Sequence, residues 1–150
     1  MTTLPATIPG LLRHCSPITA NVAGWGKVSG VVRESDGKLW AHVSVEGGGA
    51  FLPQRLDAYP FELDITDPTG FHHALLWLAE RLGIDASCGL WWRWSTVYEC
   101  WRVESPAACW VFGRNAFSLH GRYTEIDVVA GMKPAEALRL AVLAVAGVQA

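Results

Sequence analysis

Asp67-Pro68-Thr69-Gly70-Phe71-His72-His73-Ala74-Leu75-Leu76-Trp77-Leu78-Ala79-Glu80-Arg81-Leu82-Gly83 is the stretch on which the fold turns. Asp67 can cap a helix, Pro68 suits its first position, and Gly83 can supply a left-handed stop. Phe71, Leu75, Leu78 and Leu82 recur at i, i+4, i+7 and i+11, so the spacing predicts an amphipathic helix over 68–82. Beyond Gly83 the period changes from 3.6 to two. Leu90, Trp92 and Trp94 share one side of a strand, and Trp91 and Arg93 share the other. Val97–Val103 and Ala108–Phe112 read as two more strands, separated by Ser105-Pro106, and Gly121–Ile126 as a fourth. Pro134 opens a second helix over 134–146. Its inner stripe is Leu138, Ala141, Val142 and Val145, while Leu140 and Leu143 lie opposite as a candidate self-association face.

Before residue 67 the pattern is less regular. Residues 1–20 hold three of the eight prolines and read as an irregular lead-in with one helical turn at Gly10–His14. Lys27–Arg33 and Leu39–Val45 flank Ser35-Asp36-Gly37-Lys38, an Asp-Gly hairpin signal. Gly47-Gly48-Gly49 forms another turn, Ala50-Phe51-Leu52 a third short strand, and residues 53–66 a connector rich in Pro and Asp. Strands, helix, strands, helix, joined mostly by short turns, predict an α+β fold: an antiparallel sheet with both helices packed on one face, plus an N-terminal β-hairpin. The expected organisation is a single domain over 1–150, with sub-lobes 1–60 and 61–150 as the alternative.

The chain is 51% hydrophobic and 17% charged, with a net charge of −2. That composition supports a folded core and provides neither the basic stripe of a nucleic-acid binder nor the acidic one of a nucleic-acid mimic. Met1–Leu12 lacks a basic segment followed by a long apolar one. The Ala135–Val148 stretch is too short for a membrane span and carries Glu136 and Arg139. A cytoplasmic protein without membrane association is the expectation.

Candidate chemistry is sparse. Cys88 could meet His72 or His73 as a nucleophile and base, which would make a small hydrolase or transferase. His14, Cys15, Cys88, Cys100, Cys109 and His120 could supply zinc ligands, but the close pairs of structural zinc sites are missing. Gly24-Trp25-Gly26 and Gly47-Gly48-Gly49 lack the context of a phosphate loop. Asp64 and Asp67 are explained by turns and caps rather than glycoside hydrolysis. No catalytic residue, metal or cofactor is expected.

Six of the eight tryptophans fall between Trp77 and Trp110, where they serve either as core or as binding anchors. Two surfaces are candidates. On the first helix, His73 and Trp77 lie at i and i+4 with Glu80 near both, away from the Phe71 stripe; the alternative is that the N-terminal half covers them. If helices cover one side of the sheet, the other shows Trp91, Arg93, Tyr98 and Arg102; the alternative is a second core layer under the N-terminal hairpin. Such residues could also stack single-stranded bases, although the missing basic excess argues against it.

The second half resembles small phage and prophage proteins of the "ABA-sandwich" type. The carriers are the Asp67–Gly83 helix, the Trp-rich strands, and the closing helix Pro134-Ala135-Glu136-Ala137-Leu138-Arg139-Leu140-Ala141. The resemblance covers roughly residues 67–146. It implies a mobile-element origin and a role in binding a host or phage protein complex, with anti-CRISPR and other anti-defence inhibitors as one such class. A homodimeric structural or accessory protein is the third reading.

Overall fold

The structure, a computed structural model, describes residues 2–5, 8, 10–11, 18–22, 26–35, 38–45, 49–50, 54–55, 61–114 and 122–148. The fold is α+β, with thirteen elements among the described residues. The chain divides into two compact units, Met1–His73 and Ala74–Ala150.

The first unit is built on an antiparallel sheet. In chain order its strands are β1 (Thr3–Pro5), β2 (Ile18–Val22), β3 (Gly26–Ser35), β4 (Lys38–Val45), β5 (Gly49–Ala50), β6 (Gln54–Arg55) and β7 (Phe61–Asp64). They run in the order β1-β7-β2-β3-β4-β5, with β6 also on β4. The strands of the expected hairpin pair in register, from Ser35 opposite Lys38 to Val28 opposite Val45, while Asp36-Gly37 lies outside the described residues. The described parts of the lead-in and of the connector depart from the irregular reading. Both contribute strands, and β7 joins β1 to β2. Leu4 and Leu63, directly opposite in that pairing, are fully buried. Burial on one face therefore fixes the register of two very short strands. Gly10 and Leu11 form a turn, in which Leu11 N–H donates to the Ile8 carbonyl at 3.0 Å. Residues 12–14 of the expected helical turn lie outside the described residues, as do Phe51 and Leu52 of the third strand and the sites at Cys15, Gly24-Trp25, Gly47-Gly48 and His120.

Helix α1 spans Pro68–Arg81, and the unit boundary falls within it. Its ends follow the predicted chemistry. Asp67 Oδ1 accepts from Thr69 N–H at 2.9 Å. At the other end Gly83 adopts φ 70°, and Ile84 N–H reaches back to the Ala79 carbonyl at 2.9 Å, a 6→1 closing bond. Near its start, Gly70 packs against the backbone carbonyl of Asp64, where a side-chain carbon would collide.

In the second unit, β8 (Trp91–Ser95), β9 (Cys100–Glu104), β10 (Cys109–Gly113) and β11 (Tyr123–Glu125) form a sheet in the order β11-β10-β9-β8. β8, β9 and β10 pair antiparallel, whereas β11 joins β10 in parallel. A parallel neighbour needs the chain to return to the end where it started, and residues 114–122 are too long a connection for a hairpin. The expected strand start at Val97 is also later: 97–99 belong to the β8–β9 turn, in which Ser95 Oγ accepts from Tyr98 N–H at 3.3 Å. Helix α2, Pro134–Ala146, matches its expected span and ends on Gly147 at φ 73°. It contacts both edge strands, β8 and β11. Trp92 Nε1 donates to the Pro134 carbonyl at 3.1 Å and ties the first turn of α2 to the sheet. Among the described residues no helix is long and apolar enough to cross a membrane.

Gly70→Ala is expected to cost about 2 kcal/mol or more, since the added methyl group must displace backbone rather than a flexible side chain. Urea denaturation measures it; a loss within about 0.5 kcal/mol would show that α1 shifts freely against β7.

Candidate functional site

Strand alternation sorts the tryptophans of the second unit. The register places Trp94 opposite Trp101, Trp101 opposite Phe112, Trp92 opposite Val103, and Val103 opposite Trp110. These residues therefore share one face of the sheet. Trp92 stacks on Trp101 with centroids 5.4 Å apart and planes 12° off parallel. Phe112 tilts against Trp92 at 5.6 Å, and Trp94 against Trp101 at 5.8 Å. Trp110 Nε1 donates to Thr124 Oγ1 at 2.8 Å. Trp101, Val103 and Phe112 are buried, as are Leu138, Ala141 and Val142 of α2. This face is core.

The opposite face carries Trp91 and Arg93 on β8, Arg102 and Glu104 on β9, Cys109 on β10 and Tyr123 on β11. One end of it is closed. Tyr123 Oη donates to the Gly113 carbonyl at 2.8 Å, and Ser95, Cys100 and Gly113 are buried. The other end is open: Trp91 is 40% exposed and Arg93 is exposed. The Arg93 guanidinium lies 5.5 Å from the Trp91 ring centre, and its Nε contacts Glu104 Oε1 at 3.0 Å. On its other side Trp91 closes over Gly89, where φ is 120° and a side-chain carbon would meet the ring at 2.9 Å. The indole is thus held in place yet presented outward.

Arg102 sits directly opposite Arg93, an unfavourable like-charge pair. Its Nε is buried without a hydrogen-bond partner, and none of its side-chain nitrogens has an ion pair among the described residues. The Arg102 charge acts on both neighbouring thiols. Burial pushes the Cys100 and Cys109 pKa values up, and Arg102 opposes this in both.

Trp91, Arg93 and Arg102 are therefore brought together as the sequence suggested. Tyr98 is not with them. It is 55% exposed in the turn at the far end of the hairpin, about 13 Å along the strand from Trp91 at 3.3 Å per residue. The α1 candidates are corrected: Trp77 is only 4% exposed and His73 is buried, while Glu80 is exposed. The exposed stripe of α1 is His72, Leu76 and Glu80, rotated one position from the expected one. Ala74 and Ala79, both buried, widen the inward side so that it takes in Trp77. The Arg81 guanidinium stands 5.3 Å from the Trp77 ring centre. On α2, Leu143 is 2% exposed and belongs to the core, leaving Leu140 only half-buried; the outward apolar side expected for self-association is lost.

His73 Nδ1 has no hydrogen-bond partner among the described residues. Burial lowers its pKa, the neighbouring His72 charge adds to this, and Asp67 opposes it. Cys88 is exposed, with Ser87 Oγ 3.9 Å from its sulfur. Among the described residues no three His, Cys, Asp or Glu side chains gather to hold a metal ion.

Sequence reasoning missed Glu104 and Gly89, which shape the open face; only the register across β8 and β9 puts Glu104 beside Arg93. It also missed an open cleft of about 830 Å³ lined by Trp94, Glu99, Arg114, Glu125, Asp127 and their neighbours. Arg114 and Asp127 pair there at 3.0 Å, both exposed. No periodicity or motif links those positions. Comparison with protein-family models, curated proteins and solved structures finds no match to this chain.

Trp77→Ala should cost about 3–5 kcal/mol of stability, as for other buried aromatic deletions. Trp91→Ala should cost under about 1 kcal/mol. Denaturant titration of both variants checks the contrast, and equal losses would place Trp91 in the core. His73 also sets a pH dependence. With its folded pKa below the unfolded value of 6.5, the unfolded chain takes up the proton first. Its contribution is therefore present above pH 6.5 and is lost as pH falls towards the lower, folded pKa. His73→Leu should flatten the stability profile below pH 6.5; an unchanged slope would assign it to another group.

Proposed function

We propose that this chain is a non-catalytic binding protein that docks a protein partner on the open end of its four-stranded sheet, with Trp91 as anchor and Arg93 and Arg102 as polar contacts. The observation that carries the reading is the exposed Trp91 indole, backed by Gly89 and flanked by Arg93. Trp and Arg dominate binding hot spots because they combine large buried area with directed polar contacts. A side chain already held in its presented position also loses little freedom on binding. The resemblance of residues 67–146 to small phage proteins extends the proposal to a cytoplasmic setting and to a host defence complex as the partner. The burial of Leu143 favours this reading over a dimer formed through α2.

The test is affinity capture of the tagged chain from bacterial lysate carrying defence systems, read by mass spectrometry. One stoichiometric partner is expected. It should be lost with Trp91→Ala and with Arg93→Glu, and kept with Leu76→Ser, which alters an exposed residue of α1. A partner retained by both face variants would sink the assignment of this face.

A further inference from the structure

We propose that the group this face receives is a carboxylate on an acidic segment of the protein partner, and that Arg102 is the residue that takes it. The inference rests on the open face being the docking surface. Arg93 and Arg102 stand side by side in register, and Glu104 on the same face bonds Arg93 at 3.0 Å. Arg102, whose side chain is only half-buried, is left without an ion pair among the described residues. A cation set opposite a second cation, with no anion of its own, is unfavourable. A carboxylate satisfies it best, because its two oxygens match the planar fork of a guanidinium. Glu104 on Arg93 already shows a carboxylate–guanidinium contact on the same face.

Local charge points the same way. Arg93 and Arg102 outnumber Glu104 at the open end of the face, although the whole chain carries −2. A long phosphodiester track would meet that overall negative charge, and Glu104 and Glu125 on this same face. One carboxylate needs only the local excess. Trp91 lies two residues from Arg93 along β8, about 7 Å, so the matching segment carries an apolar side chain close to its acidic one.

The experiment is a titration of the full ¹⁵N-labelled chain, following the Arg102 Nε–H and Trp91 indole signals. These are assigned by loss of each signal in Arg102→Gln and Trp91→Phe. The probes are a short synthetic peptide alternating Glu and Leu, its twin with Gln for Glu, and an oligothymidylate. The Glu peptide should move both signals, and Arg102→Gln should weaken its binding about tenfold or more. Arg102→Lys, which keeps the charge but not the fork, should restore only part. Glu104→Gln should strengthen binding by freeing Arg93. Arg102→Gln should not lower the melting temperature; a marked fall would make Arg102 structural and overturn the inference. Equal binding of the Gln twin at Trp91 would overturn the carboxylate while leaving the face as a docking surface. Preference for the oligothymidylate would overturn it in favour of nucleic acid. No response of either signal to any probe would overturn both the carboxylate and the docking face.

Discussion

The stack of Trp92 on Trp101, with Trp94 and Phe112 tilted against it, is the interaction on which the second unit depends. Trp101 lies on the middle strand pair and touches aromatic rings of β8, so its burial sets the pairing of β8 with β9. A one-residue slip of either strand would turn its tryptophans to the other face and expose several large rings at once. The same stack leaves no freedom on the reverse side. Once Trp92, Trp94 and Trp101 point inward, Trp91, Arg93 and Arg102 must point outward, and the two arginines must meet.

That enforced meeting has a cost, which Glu104 offsets for Arg93 only. A fold selected for stability alone would place an apolar or uncharged residue at position 102, since like charges directly opposite each other in a sheet oppose folding. The aromatic layer beneath is large enough to carry the penalty: each buried Trp removes on the order of 200 Å² from water. The division of labour is physical. One face of the sheet supplies stability, and the other retains an unsatisfied charge beside an exposed ring.

Legibility in the sequence followed how local the determining chemistry was. Both helices were readable because their ends are set by neighbouring residues: Asp67, Pro68 and Gly83 for α1, Pro134 for the start of α2. The face assignment of Trp91 and Trp92 was readable because alternation follows from the strand alone. Strands β1, β2 and β7 were not, since Thr3–Pro5 and Phe61–Asp64 are too short to show a period and are held by pairing across the chain. Trp77 was misplaced because helix periodicity locates a stripe but not its width. Small residues at Ala74 and Ala79 let the buried side of α1 extend to Trp77, and Leu76, just as apolar, fell to solvent. Leu143 was drawn inward on α2 in the same way. Glu104 and the lining of the Trp94 cleft depended on tertiary register, for which single-chain patterns hold no signal.

Gly89 sits behind the Trp91 ring with a backbone conformation that L side chains rarely adopt. It contributes no side chain to any surface, yet the pose of the exposed Trp91 indole leans on it. In a saturation scan scored by partner recognition, this position would stand out as intolerant although no partner atom need approach it. Should the open face dock a partner as proposed, a map drawn from such a scan would show a patch with one member behind the surface, where a missing methyl group is the deciding feature.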